Sequence, residues 1–349
     1  MANFLEIAGR KIGKEYAPLV VAEIGINHEG SIETAVKMAQ AAIDAGAEII
    51  KHQTHIPDAE MSIEARSIIP GNTDVSIYEV IKRCALTLDE EKLLADYVRT
   101  RNVIYLSTPF SFEAVDFLDE IQVPAFKIGS GECNNYPLVK RVASKGKPVI
   151  LSTGMNTIET ISPSVEILRK AGIPFALLHC TNLYPTPANL VRLNSILDLG
   201  KAFPDAVLGL SDHSLTNFPC LGAVGLGASI LERHFTDSKS RPGPDIVCSM
   251  DPRELSQLIE GSRIIHESTK GNKYPVKEED VTIAFAFSSV VGTRDLLVGE
   301  VVTKNDITMK RPNGGDFGPR DYESLVGKKV VEYIPKNTQI KKSQIEQKK

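Results

Sequence analysis

The sequence predicts an α/β chain, a (β/α)8 barrel of the TIM type followed by a small, mainly β domain. Eight short apolar runs recur through the first 270 residues, nearly continuous rather than alternating, as expected of parallel strands buried on both faces. Segments with helical periodicity separate them, and a regular β-then-α alternation over about 250 residues favours a closed barrel over an open doubly wound sheet. No GxGxxG follows the first run, which weakens a dinucleotide-binding reading.

The predicted strands cover 19–24, 48–52, 103–107, 125–128, 149–152, 176–180, 207–210 and 229–232. The first helix covers 32–45, with Ala35, Met38, Ala39, Ala42 and Ile43 on one stripe and Gly46 as its stop signal. Further helices are expected over 88–101, 112–120, 137–145 and 158–171, and a last one over 252–269 closes the outer ring. The connection 54–86 is long for a barrel and holds Pro70-Gly71-Asn72 before a helical pattern at 76–83. Long connections in compact domains are functional or disordered, and the added helix points to a substrate-covering element that contributes Asn72. The boundaries follow: a barrel over 1–270, a polar linker over 271–284 and a second domain over 285–349. Strand-like runs in that domain sit at 289–291, 301–302 and 330–333, and 300–307 resembles 338–345 as a weak repeat ending in isoleucine.

Composition excludes several classes. The 40 basic and 44 acidic side chains are nearly balanced, so neither nucleic acid nor an anionic membrane is an expected partner. The first residues lack a signal peptide's apolar core, and no stretch approaches the roughly 18 apolar residues of a membrane span, so a cytoplasmic protein is expected. The five cysteines are odd in number and contain no CxxC pair, which indicates neither a disulfide framework nor a zinc-thiolate site.

In such a barrel the site lies at the C-terminal ends of the strands. Every end here carries polar residues: Glu23, Lys51 with Gln53, Thr108, Lys127 with Ser130, Ser152, Asn182, Ser211 with His213, and Glu232 with His234. Solvated loops explain about half of these singly, but not lysines inside apolar runs. A lone buried ammonium costs several kcal/mol, so Lys51 and Lys127 must be paired or face a polar cavity. Together with Thr108, Ser130, Ser152 and Ser211 they suit a small phosphate- and carboxylate-bearing anion. His213 and His234 end adjacent strands and make a two-histidine metal site reasonable, with Asp212 and Glu232 as oxygen donors that extend or orient it. So open a shell suits Mn²⁺ better than closed zinc, with Mg²⁺ or Co²⁺ as alternatives. The proline-stiffened stretch 241–245 would hold Asp245 at the mouth.

Read in order, these ends resemble the N-acetylneuraminate (sialic acid) synthases: EIGINHEGS from Glu23, IKHQTH from Ile50, YLSTPFS from Tyr105, KIGSGECNNYPL from Lys127, LSTGMN from Leu151, HCTNLYPTP from His179, GLSDHS from Gly209, LERHFTD from Leu231 and RPGPDIVCSM from Arg241. The C-terminal part, through MKRP at Met309, resembles the antifreeze-like (SAF) domain of that family. The resemblance implies an enzyme, a metal-dependent transferase that condenses phosphoenolpyruvate with N-acetylmannosamine and water to N-acetylneuraminate and phosphate. It implies a divalent metal on His213 and His234, and phosphoenolpyruvate held by Lys51, Thr108, Lys127, Ser130, Ser152, Asn182 and Ser211. Glu23, or as a second choice Glu132, would move protons or position water. Gln53, Asn72, Tyr184, Asp245, Phe285 and Arg311 would bind the sugar, the last two from a domain swapped across a homodimer.

Three other readings stand beside it. Related synthases act on 6-deoxy diacetamido sugars to make legionaminic or pseudaminic acid. A pyruvate aldolase or ketodeoxy sugar-phosphate synthase is a second enzyme class, and a non-catalytic carbohydrate-binding protein is a third possibility. The intact Lys51, Lys127, His213 and His234 argue against the last.

Overall fold

The computed structural model describes residues 4–70 and 74–347. Its contacts divide the chain into two compact units, Met1–Lys270 and Gly271–Lys349.

The first unit opens with an antiparallel hairpin, β1 (Phe4–Ile7) and β2 (Arg10–Gly13). Eight parallel strands follow: β3 (Leu19–Gly25), β4 (Ile49–Thr54), β5 (Ile104–Pro109), β6 (Phe126–Ile128), β7 (Val149–Ser152), β8 (Phe175–Cys180), β9 (Val207–Asp212) and β10 (Ile230–His234). Their ladder order is β5-β4-β3-β10-β9-β8-β7-β6, so the first and last barrel strands pair with each other. The two ends of this ladder, β5 and β6, lie against one another. All eight strands match the expected ones to within two residues at each end, and the sheet is a nearly closed barrel.

Side chains alternate between two cores, because successive residues of a strand point to opposite faces. Val21, Ile49, Leu106, Ala125, Ile150, Leu178, Val207 and Ile230 form an inner core with Leu5, Ile7 and Ile12 of the hairpin. The hairpin, which its short alternating runs did not disclose, thus contributes apolar side chains to the interior of the barrel. Val20, Ala22, Ile24, Leu151, Leu177 and Leu231 face outward to helices such as Ile32–Asp44 and Leu88–Arg99. Gly209 sits where the interior is tightest: a Cβ there would lie 2.3 Å from a Leu178 methyl and 2.5 Å from the Ile230 carbonyl oxygen. The long connection 55–87 carries the expected helix, at Ile77–Cys84, started by Ser76 accepting from the Glu79 amide.

The second unit has a helix at Asp280–Ala286, which crosses the end of the segment 271–284 read as linker, and an antiparallel hairpin of β11 (Ser289–Gly292) and β12 (Ile307–Lys310). The runs at 301–302 and 330–333 form only single bridges, Val301 to Lys329 and Val330 to Ile345. The weak repeat is structural: Val302 and Ile307 in one copy, Ile340 and Ile345 in the other, enter the same core. Each pair flanks a turn closed by its fourth residue, Asp306 accepting from the Thr303 amide and Gln344 from the Lys341 amide.

Candidate active site

The alternation that fills the barrel's lower interior with aliphatics delivers polar side chains at its upper rim. Two residues beyond Val21, Ile49, Ala125, Ile150 and Ile230 on the inward face stand Glu23, Lys51, Lys127, Ser152 and Glu232. They line one cavity with Gln53, Thr108, Ser130, Asn182, Tyr184, Ser211, His213, His234 and Asp245. Fourteen residues named from sequence or resemblance therefore converge.

Glu232 is the hub of this rim. Its Oε1 lies 3.4 Å from the Lys127 ammonium and 3.9 Å from that of Lys51, and it accepts from Ser211 Oγ at 3.1 Å. Lys51 also pairs with Glu23 and donates to Thr108 Oγ1 at 3.2 Å. Lys127 donates to Ser152 Oγ at 2.8 Å. Burial pulls Lys51 down to about 7; the carboxylates of Glu232 and Asp245 oppose that and the Lys127 ammonium adds to it. Burial would raise Glu232, yet the two ammoniums hold its carboxylate at about 2. The sequence reading placed Glu232 beside the histidines as an oxygen donor; its main partners are the lysines. A buried lysine pair needs a carboxylate between them, and that requirement could have identified it.

His213 and His234 meet as expected, with ring centroids 5.4 Å apart and planes at 48°. The His213 Nδ1 lies 3.0 Å from the Thr181 carbonyl oxygen, to which it donates, leaving Nε2 as the free lone pair. Burial, reinforced by His234, takes His213 down to about 4. Burial and the Lys51 ammonium take His234 down to about 3. Both imidazoles are neutral at pH 7 and able to ligate. The buried Nδ1 of His234 has no hydrogen-bond partner and lies 3.5 Å from Asp245, whose own carboxyl burial raises to about 6. Among the described residues, no three His, Cys, Asp or Glu side chains cluster as a metal cage. Two neutral imidazoles and one orphaned nitrogen fit an ion whose remaining positions are filled by water and substrate.

The residues between these histidines and their strands face outward and hold the loops. Asp212 lies 3.5 Å from Arg233, both fully buried. Arg233 donates to the Ser214 carbonyl and to Asn217 Oδ1, and Asp212 accepts from the Ser214 amide and hydroxyl. Asp212 thus fixes the polypeptide that carries His213 and adds no oxygen to the histidine pair. A charged residue next to a histidine on both strands was the available signal for Arg233.

Gln53 is oriented by residues that sequence reasoning left aside. Its Oε1 lies 3.1 Å from His55 Nε2, which turns its amide nitrogen toward Glu23 at 3.4 Å. His55 is held by Glu60 at 2.9 Å and stacks on Phe110, a cavity-lining residue, at 4.3 Å. His28 and His52 belong to a separate buried network outside the barrel, with their Nε2 atoms 3.0 Å apart and Glu91 3.2 Å from His52.

Four more residues carry expectations from the sequence. Glu132 is half-buried, accepts from Asn135 and does not line the cavity. Asn72 lies outside the described residues. Phe285, on the helix Asp280–Ala286, and Arg311, directly after β12, are exposed within the second unit.

Comparisons with known proteins agree with this architecture. Residues 12–274 match the NeuB family and residues 287–346 the SAF domain. The chain is 36% identical to the N,N'-diacetyllegionaminic acid synthase of Campylobacter jejuni, covering 89% of this chain and 95% of that one. It is 32% identical to the N-acetylneuraminate-9-phosphate synthase of Homo sapiens, covering 93% and 91%. The crystal structure of N-acetylneuraminic acid (sialic acid) synthetase from Leptospira borgpetersenii superposes with a TM-score of 0.74 at 30% identity, covering 81% of this chain and 96% of that one. A polar barrel mouth built on paired lysines and paired histidines, a matching family model over most of the chain and relatives that share its full span lead to one conclusion: the chain belongs to the NeuB family of sugar-acid synthases and carries a SAF domain after its barrel.

Proposed function

We propose that the chain condenses phosphoenolpyruvate with the open-chain aldehyde of N-acetylmannosamine, or of a sugar with the same 2-acetamido aldehyde end, releasing phosphate and an N-acetylneuraminate-type acid. One observation carries the reading: two buried ammoniums, Lys51 and Lys127, share a mouth with Thr108, Ser130, Ser152 and Ser211 and with a pair of neutral imidazoles. Phosphoenolpyruvate brings the phosphate and carboxylate that such donors bind. A pyruvate aldolase has no phosphate to bind and leaves these donors unexplained.

His213 and His234 would hold a divalent ion, Mn²⁺ by ligand type, which when bound polarises the aldehyde oxygen of the acceptor as a Lewis acid. Charge favours this reading. The mouth holds three carboxylates, Glu23, Glu232 and Asp245, against two ammoniums, so a highly anionic substrate gains from an additional positive charge. C3 of phosphoenolpyruvate attacks the aldehyde carbon, whose oxygen takes up a proton to become a hydroxyl. The C2 left electron-poor is captured by water, which gives up a proton, and phosphate then leaves with the electrons of its C–O bond as the new C2 hydroxyl gives up its own proton to become the ketone. Lys127, Ser152 and Thr108 hold the departing phosphate, while Lys51, Ser211 and Asn182 hold the pyruvyl carboxylate. Glu23 is ion-paired with Lys51, whose ammonium burial has pulled to about 7, and this pair moves the protons of water addition. Gln53, Tyr184 and Asp245 orient the acceptor, with Asn72, Phe285 and Arg311 as further sugar contacts, the last two from the partner of a domain-swapped homodimer. The chain works in the cytoplasm, where phosphoenolpyruvate is made.

The test is phosphate release from phosphoenolpyruvate with N-acetylmannosamine and Mn²⁺ in ¹⁸O-water. Label in the sugar acid and none in the phosphate is the expected result. Label in phosphate means P–O cleavage and sinks the mechanism. Condensation of pyruvate itself would favour the aldolase. A second reading, with a 6-deoxy diacetamido acceptor, keeps every reacting atom and changes only the far end of the sugar.

A further inference from the structure

The condensation uses neither Cys180 nor Gly154, yet both stand at the barrel mouth. Cys180 ends β8 on the inward face, two residues beyond Leu178 of the inner core, and its buried side chain lines the cavity. The thiol donates to Asn182 Oδ1 at 3.4 Å. His213 Nδ1, 3.9 Å from the same sulfur, gives its own proton to the Thr181 carbonyl and so makes no claim on that oxygen. Gly154 is buried in the loop after β7, on the other side of the Asn182 side chain. A Cβ there would fall on Asn182 Oδ1 and lie 2.9 Å from Ser130 Oγ and 3.0 Å from Asn182 Cγ, so the bare glycine makes the space in which the carboxamide lies. The Gly154 amide also donates to Ser130 Oγ at 3.0 Å. Asn156 ties the two loops together, its Nδ2 donating to the Ser130 carbonyl at 3.0 Å and to the Gly154 carbonyl at 2.8 Å.

A carboxamide is planar and carries its acceptor and its donors on opposite arms. The oxygen arm of Asn182 is taken by the Cys180 thiol above the Gly154 backbone, which leaves Nδ2, with two N–H donors, as the arm for the cavity that Asn182 lines. A hydroxyl behaves alike: Ser130 Oγ, accepting from the Gly154 amide, has its own proton to give to the cavity. We propose that Cys180 and Gly154 are positioning residues that turn Asn182 and Ser130 into donors toward the anionic substrate, phosphoenolpyruvate on the reading given above. With the carboxamide reversed, its carbonyl dipole would oppose the bound carboxylate instead of holding it.

The experiment is calorimetric titration of the full chain with phosphoenolpyruvate in Mn²⁺ buffer, alongside the acceptor KM from phosphate release with N-acetylmannosamine. Cys180→Ala should weaken phosphoenolpyruvate binding by about 3–10-fold, the worth of one orienting hydrogen bond, with the acceptor KM unmoved. Cys180→Ser keeps a donor and should recover most of that loss. Gly154→Ala displaces side-chain atoms only, so it should melt near the native temperature and weaken the same binding by roughly 10–100-fold, as loss of a hydrogen bond to a charged group does. In an Asn182→Ala background Cys180→Ala should change binding by less than about 2-fold, because the thiol acts through that amide. If Gly154→Ala unfolds, the cysteine variants decide. Native affinity in a folded Cys180→Ala variant, no recovery in Cys180→Ser, or full additivity with Asn182→Ala overturns the positioning and leaves the condensation standing. A native chain that binds no phosphoenolpyruvate overturns both.

Discussion

Replacing Arg233 by methionine removes the cation that neutralises Asp212 beneath the histidine loops. Asp212 is 2% exposed and keeps only Ser214 and the Cys220 thiol as close partners, with the Arg233 guanidinium 3.5 Å away in the native chain. Breaking a buried pair from one side costs about 3–5 kcal/mol, since the remaining charge is left uncompensated. Asp212→Asn strands the arginine and should cost a similar amount. In the double variant neither charge remains and the asparagine still accepts from the Ser214 amide, so the cost should stay near that of one substitution. The coupling energy is then about 3–5 kcal/mol in magnitude. Urea unfolding of the native chain, both single variants and the double variant measures the cycle, with the barrel's far-UV signal as reporter. The same variants should bind Mn²⁺ about 10–100-fold more weakly, because the loop carrying His213 loses its support. Additivity within about 0.5 kcal/mol would refute the electrostatic account and leave only lost packing.

Lys127→Met leaves Ser152 without its cation and Glu232 with Lys51 alone, and should lower kcat/KM for phosphoenolpyruvate by about 100–1000-fold; more than a tenth of native activity would remove Lys127 from phosphate binding. His55→Leu frees the Gln53 amide and should raise the acceptor KM about 5–10-fold with the phosphoenolpyruvate KM unchanged, since the polar contact of His55 toward the site is to Gln53; an equal rise in both would mark a general loss of fold. His234→Ala should abolish metal-dependent turnover while keeping the fold, and a full rate in chelator-treated buffer would take the metal out of the mechanism. Acid should unfold the barrel early. His28, His213 and His234 are held at about 3, 4 and 3, below their ordinary 6.5, so as pH falls from 6.5 toward 4 the unfolded chain binds three protons that the fold refuses. Asp245, raised from 3.8 to about 6, works oppositely: its stability is present at low pH and lost as pH rises through 6, which offsets one histidine. The net loss is about 3 kcal/mol per pH unit in that window, read as a falling urea midpoint between pH 6.5 and 4.5; a constant midpoint would contradict the buried neutral histidines.

The barrel was legible because its strands are apolar on both faces, and the site because Lys51 and Lys127 interrupt such runs, where chemistry alone demands a partner. What escaped was whatever depends on which face a residue takes. Asp212 directly precedes His213 and Glu232 stands two residues before His234, so the two-residue period sends Asp212 outward to Arg233 and Glu232 inward to the lysines. His55 sits in the connection just after β4, where periodicity carries no information, and only coordinates join it to Gln53 and Glu60. The hairpin β1–β2 has too few residues for its alternation to register, and the second unit's strands are shorter still, their order set by the tight turns of the repeat.

Among the described residues no ladder joins β5 to β6, so the cylinder has a seam, and it runs between Thr108 on one margin and Lys127 on the other. These are two of the groups assigned to the phosphate. An anion gripped from both margins would act as a clasp, drawing together the one place where the wall is not stitched by main-chain bonds. Occupancy should then be felt as tightening along this line, with slower amide exchange in 104–109 and 126–128 than in strands away from it, so that the substrate completes the very container that holds it.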